Sequence, residues 1–255
     1  LQGINGDVAA NYALGSDIDA SVTAAWNSGA GFEPIGNVSS FTGTFDGLGH
    51  SISQMLIYRP STSNVGLFGS SSGSDIQNVG LVGGAFTGNY YVGSLVGNKT
   101  GTNVTNAYST SVVSGSSYVG GLLGLSNGGT ISYAYAKGAV SGQSQLVGGL
   151  IGQARFYGAI TNSYATGAVS AQNANYVGGL VGQARFVSVS DSYATGTVTG
   201  GFGTGGLVGY LDQTSINNAY STGQVNSSGG AGGLVGWNNR GTVNNGYWNT
   251  ETSKQ

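Results

Sequence analysis

The chain of 255 residues has no cysteine. That excludes a disulfide framework and any thiolate zinc site. It leaves the compartment open, because a large secreted protein can do without disulfides. Charge is scarce as well. Asp, Glu, Lys and Arg make up 6% of the residues, against roughly 25% in an ordinary soluble domain. Seven basic and nine acidic side chains give a net charge of −2. So few cations build no footprint for nucleic acid or an anionic membrane, and no nucleic-acid partner is expected. Gly, Asn or Ser interrupts every apolar stretch before the ~20 residues a spanning helix needs, so no membrane insertion of this segment is expected. Nothing before Asp7 resembles the apolar core of a signal peptide, and the chain reads as a piece of a longer protein. Proline occurs only twice, which excludes collagen and a Pro-rich linker.

What is present is glycine, 50 residues of it, together with 15 Tyr and 8 Phe. With 39% apolar residues the chain can bury a sizeable core, unlike a charge-rich disordered segment.

The glycines are organised by an internal repeat. Val119-Gly-Gly-Leu-Leu-Gly124 recurs as Val147 to Gly152 and Val177 to Gly182, with variants from Val65 to Gly69 and at Val92 to Gly97, Gly205 to Gly209 and Gly232 to Gly236. Its Leu falls at 67, 95, 122, 150, 180, 207 and 234, at intervals of 28, 27, 28, 30, 27 and 27. A second block runs in phase: Val104-Thr-Asn-Ala-Tyr108, then the segments ending at Tyr135, Tyr164, Tyr193, Tyr220 and Tyr247. A third, Ala165-Thr-Gly-Ala-Val-Ser170, has counterparts at 109–114, 136–141, 194–199 and 221–226. Each block is short, β-branched or aromatic, and bounded by turn residues. No sustained 3.6-residue apolar period exists, so helix is nearly absent.

Three short strands per 27–30 residues fit one coil of a parallel β-solenoid, each coil stacking on the last at about 4.8 Å. A β-propeller blade, at about 40–50 residues, is too long for this period. The insertion at 171–175 lengthens one interval without breaking phase. Residues 1–62 read as lead-in or capping coils, residues 63–255 as the repeat array, and about 243–255 as its C-terminal cap.

The Val-Gly-Gly-Leu-Val-Gly and Asn-Ser-Tyr-Ala-Thr-Gly blocks resemble GLUG repeats. The lead-in Phe41-Thr-Gly-Thr-Phe-Asp-Gly-Leu-Gly-His50 and the ending Gly246-Tyr-Trp-Asn-Thr-Glu-Thr-Ser253 resemble the flanks of such arrays. The resemblance spans nearly the whole chain. Gly80 stands where later units have Tyr, and Ser111 where others have Gly. It implies an all-β, right-handed parallel β-helix in an extracellular or cell-surface bacterial exoprotein of the filamentous-haemagglutinin, two-partner-secretion type. It is also similar to parts of surface-anchored IgA peptidases. In such proteins the array is stalk or adhesive surface rather than catalytic centre.

Alternation along a strand sends neighbours to opposite faces. Ser163, Ala165, Gly167 and Val169 form the small, apolar parity and belong inside, with the repeated Leu. The outer parity then holds a column of Tyr108, Tyr135, Tyr164, Tyr193, Tyr220 and Tyr247, beside a row of Thr110, Lys137, Thr166, Thr195 and Thr222. Aromatic faces in register suit sugar rings, so these residues are candidate ligand contacts, with structural packing as the competing role. Gln153-Ala-Arg-Phe156 recurs as Gln183-Ala-Arg-Phe186, which stacks Arg155 on Arg185 as a small cationic patch for an acidic sugar.

Catalytic signals are thin. Asp17 and Asp19 share a strand face, but one carboxylate pair is a weak signature. His50 stands alone, and no Gly-x-Ser-x-Gly elbow opens a helix. Gly93-Ser-Leu-Val-Gly-Asn-Lys-Thr100 misses a P-loop at Asn98. Residues 76–250 hold only Asp191 and Asp212 as carboxylates. The expected role is therefore a non-enzymatic rod with no cofactor, touching glycans, extracellular matrix or its own copies. A polysaccharide-active enzyme on the same helix is the alternative. An ice-binding face is a further one, suggested by Thr195, Thr197 and Thr199 but spoiled by Lys137, Gln224 and Asn226.

Overall fold

Each repeat runs once through each of three parallel sheets, and the chain winds through them as a β-solenoid of about seven turns. The computed structural model describes residues 1–253 and 255. The plainest sheet has seven strands: Phe68–Ser72, Val96–Thr100, Leu123–Asn127, Ile151–Arg155, Val181–Arg185, Val208–Asp212 and Val235–Asn239. Like pairs with like across its coils: Gln153 with Gln183, Ala154 with Ala184, Arg155 with Arg185.

The repeated Leu sits just before each of these strands. Leu95 N donates to Leu122 O, Leu122 N to Leu150 O, Leu150 N to Leu180 O, Leu180 N to Leu207 O and Leu207 N to Leu234 O, at 2.8–3.0 Å. All seven side chains are buried. Full burial stabilises by about 1.5–3 kcal/mol per Leu.

The other two sheets bend within each coil. In one coil Ala159–Thr161 and Tyr164–Ala165 flank Asn162, whose φ is 50°. The same left-handed bend recurs at Asn78, Asn106, Asn218 and Asn245, with Tyr133 and Asp191 in the intervening coils. Asn tolerates this conformation better than most L-residues. Its amide also bridges coils: Asn106 donates to Asn78 Oδ1 at 2.9 Å and Asn245 to Asn218 Oδ1 at 3.0 Å. The third sheet turns likewise at Tyr91, Tyr118, Leu146 and Tyr176.

The inward parity is as expected. Ser163, Ala165, Gly167 and Val169 are buried, while Ala168 and Ser170 are exposed. The second Gly of each Gly-Gly pair lets two sheets meet. A Cβ on Gly149 would lie 2.1 Å from Gly179 O and 2.9 Å from Ala165 Cβ.

The 30-residue interval carries two corner insertions where the sequence suggests one. The pairing offset between successive coils is 30 at Arg155 and Arg185, 29 at Ala159 and Ser188, and 27 at Val177 and Thr204. One residue bulges at Tyr157, and two more enter near 172–174.

Residues before the array wind on the same axis. Thr44–Asp46 and Leu56–Tyr58 pair in parallel with the first repeat, over a core of Phe32, Phe41, Phe45 and Phe68. The 3-10 segments Gln2–Gly6 and Ser21–Gly29 lie beyond them. At the other end Trp248 takes the register position of the buried Ser221, and its indole lies over Gly233. The helix Thr250–Ser253 follows, with Thr252 Oγ1 donating to Thr222 O at 2.6 Å.

Candidate functional site

Two aromatic features of the outer surface differ in what they leave free. The first is the tyrosine column. Tyr108, Tyr135, Tyr164, Tyr193 and Tyr220 project outward and stack ring on ring at 4.8–4.9 Å, with interplanar angles of 8° or less. The spacing is the strand spacing, so the column follows directly from register. At its N-terminal end Tyr108 lies over Gly80, where a Cβ would come within 2.2 Å of its ring.

Stacking uses up the ring faces. Each inner ring presents only its edge and hydroxyl, so a sugar cannot lie flat on it. Burial in the stack raises the phenol pKa of Tyr135, Tyr164 and Tyr193 above the usual value, with neighbouring phenols adding to the shift at Tyr135 and Tyr193. Lys137 sits 4.9 Å from the Tyr135 ring centroid. Thr195 and Thr222 are exposed alongside, and Thr166 is half-buried.

Arg155 and Arg185 do stack, but they are not equally free. Arg185 Nε is 2.9 Å from the Asp212 carboxylate, which is buried and also accepts from Asn239 Nδ2 at 2.9 Å. Arg155 Nε donates to Asn127 Oδ1. The expected cationic patch is therefore half neutralised by Asp212, one coil further on in the same ladder.

The second aromatic feature is a corner groove of about 490 Å³. Tyr157, Phe186, Val187, Gln213, Thr214, Ser215, Arg240 and Thr242 line it. Sequence reasoning missed it, because Tyr157 belongs to no repeated position. Its signal is a one-residue difference in spacing: Arg155 to Tyr164 is one longer than Arg185 to Tyr193.

The remaining candidates resolve into structural contacts. Asp17 accepts from the Ser51 amide at 2.7 Å and lies 3.4 Å from His50 Nδ1. The Ser51 amide above all, then the Ser51 hydroxyl and His50, lowers its pKa. Asp19 accepts from the Ser21 amide at 2.9 Å, so the two carboxylates do not converge. Asp46 binds the Leu48 amide and Asn78, which lower its pKa in that order. Among the described residues no three His, Cys, Asp or Glu side chains gather as a metal site.

Lys99, read only as part of a failed P-loop, points into the solenoid and is fully buried. Nζ donates to Thr102 O at 2.8 Å and Gly128 O at 2.6 Å. Desolvation lowers its pKa to about 7.

Comparison with known proteins fits this architecture. Three consecutive stretches, residues 143–170, 173–199 and 200–226, match the GLUG motif. Over 108 residues the chain is 46% identical to Halomucin of Haloquadratum walsbyi (strain DSM 16790 / HBSQ001), a match covering 40% of this chain and 1% of that protein. The chain thus spans about one-hundredth of that relative's length. Among solved structures, a Bacteroides ovatus protein provisionally described as an immunoglobulin A1 protease superposes with a TM-score of 0.73 at 22% identity. The superposition covers 94% of this chain and 78% of that one, and at this identity it shows the fold alone.

Proposed function

We propose that this chain is a rigid spacer segment of a surface-displayed or secreted protein, which makes repeated weak contacts along its outer face. The observation that carries the reading is the unbroken cross-coil ladder. Backbone hydrogen bonds, the leucine spine and the tyrosine stack all run along one axis. Such an array transmits load and repeats one chemical surface at each coil. Similarity to Halomucin over two-fifths of the chain, together with the GLUG motifs, supports a role in a large surface or secreted protein.

Contacts with glycans, matrix or other copies would use the hydroxyl edges of Tyr108, Tyr135, Tyr164, Tyr193 and Tyr220, with Thr166, Thr195 and Thr222 beside them. Each contact is shallow, and avidity makes the sum effective. Arg155 supplies the free charge of the arginine pair.

The test is an array of glycans and matrix proteins probed with the chain displayed on beads and as a monomer. Bead-dependent binding that the double variant Tyr164→Ala/Tyr193→Ala reduces supports the reading. Binding indifferent to that variant removes the tyrosine column. Release of reducing ends from a polysaccharide panel would instead establish an enzyme.

A further inference from the structure

Three features of the corner groove bear on what it could take. First, its residue types depart from the earlier coils. Every coil turns through the left-handed region at this corner, the earlier ones at Gly73, Gly101 and Gly128, the later ones at Phe156 (φ 63°), Phe186 (52°), Gln213 (46°) and Arg240 (61°), with Tyr157 (60°) as an added residue. The later coils thus carry side chains where the earlier ones carry glycine. Second, the aromatic surface is open. Tyr157 is 88% exposed and Phe156 47%. Tyr157 pairs with Phe186 at 6.2 Å and 28°, which leaves a ring face free, unlike the rings of the tyrosine column. Third, the charge is one-signed. Arg240 lines the groove, and among the described residues it has no salt-bridge partner. No carboxylate lines the groove; the nearest in sequence, Asp212, is held by Arg185.

The lining spans four coils, from Tyr157 to Thr242, so the groove runs along the solenoid axis for about 14 Å at ~4.8 Å per coil. Gln213, Thr214, Ser215 and Thr242 supply hydroxyl and amide groups along it. An open aromatic face, a row of neutral polar groups and one unpaired guanidinium match a single ligand class. We propose that this groove binds an acidic oligosaccharide, with one sugar face on Tyr157 and a sugar carboxylate on Arg240. The site is separate from the tyrosine column and does not depend on it.

The test is calorimetric titration of the intact chain with trigalacturonate, a hyaluronan tetrasaccharide and sialyllactose, against cellotriose and lactose as neutral counterparts. The wild type should bind at least one acidic probe at least tenfold more tightly than its neutral counterpart. Tyr157→Ala should weaken that binding at least tenfold. Arg240→Gln should abolish the preference for the acidic sugar. Val112→Ala, an exposed position outside both the groove and the tyrosine column, should leave it unchanged. Both groove residues are exposed, so unchanged circular dichroism and melting are expected of their variants. Failure of the wild type to bind any acidic probe at millimolar concentration would overturn the proposal. So would equal affinity for neutral sugars, or binding indifferent to Tyr157→Ala.

Discussion

Lys99 makes stability depend on pH in a range where few other side chains titrate. In the unfolded chain its amine has an ordinary pKa of 10.5; in the fold burial brings it to about 7. Between these values the unfolded state holds a proton that the folded state does not. The Lys99 contribution should therefore be greatest above about pH 10.5, fall as pH drops toward 7, and level off below that. The slope is about 1.4 kcal/mol per pH unit, and the full change about 5 kcal/mol. The carbonyls of Thr102 and Gly128 accept from the amine in either state, so they soften the cost of burial without removing it. Lys99→Met keeps the volume and removes the titration. It also takes the amine donor from the buried Thr102 carbonyl, at about 1–3 kcal/mol, and from the half-buried Gly128 carbonyl, so the offset between the proteins is not diagnostic. The difference in slope is. Urea unfolding followed by circular dichroism at pH 7.5 to 9.5 should show wild-type stability rising by about 2–3 kcal/mol relative to the variant. Parallel pH profiles would refute the reasoning and mean that Lys99 reaches solvent or a counter-charge.

Three further expectations follow from the packing. Leu150→Ala removes one link of the buried spine and should cost about 2–5 kcal/mol in urea unfolding, whereas Thr195→Ser, on the exposed row, should change stability by under about 0.5 kcal/mol. Gly149→Ala forces a methyl to within 2.1 Å of a backbone oxygen on the next coil and should cost at least the 1–3 kcal/mol of ordinary overpacking, visible as a lower melting temperature. Spectrophotometric titration should find Tyr135, Tyr164 and Tyr193 ionising above the ordinary pH of about 10. The unfolded chain loses these protons first, so the contribution present below pH 10 should be lost as pH rises through the folded values.

The sequence discloses what repeats and hides what does not. The leucine spine was legible because one residue type returns at a near-constant interval, and strand parity then placed Ala165 and Val169 inside and Tyr164 outside. Asn106 and Asn162 were visible as repeated letters, but the bend they make was not, since alternation assumes a straight strand. Lys99 was misleading for a similar reason. Its register partners Ser71 and Ser126 are small and buried, and that comparison across coils is what marks the position as interior. Tyr157 and Trp248 were opaque because neither sits in a repeated block. The stacking of Tyr164 on Tyr193 was implied by register. That stacking consumes the faces offered to a sugar is a matter of ring orientation, which no spacing reveals.

The central claim is that successive repeats rise along a common axis by one strand spacing. Ser114, Ser141, Ser170, Thr199 and Asn226 form one register row, and Thr87 precedes Ser114 in it. With no native cysteine, spin labels go only where cysteines are placed. Electron-spin distance measurement on Ser114→Cys/Asn226→Cys should give a backbone separation of about 19 Å, and on Thr87→Cys/Asn226→Cys about 24 Å. Separations that fail to lengthen with the added coil, or that lie far beyond these values, would contradict the account.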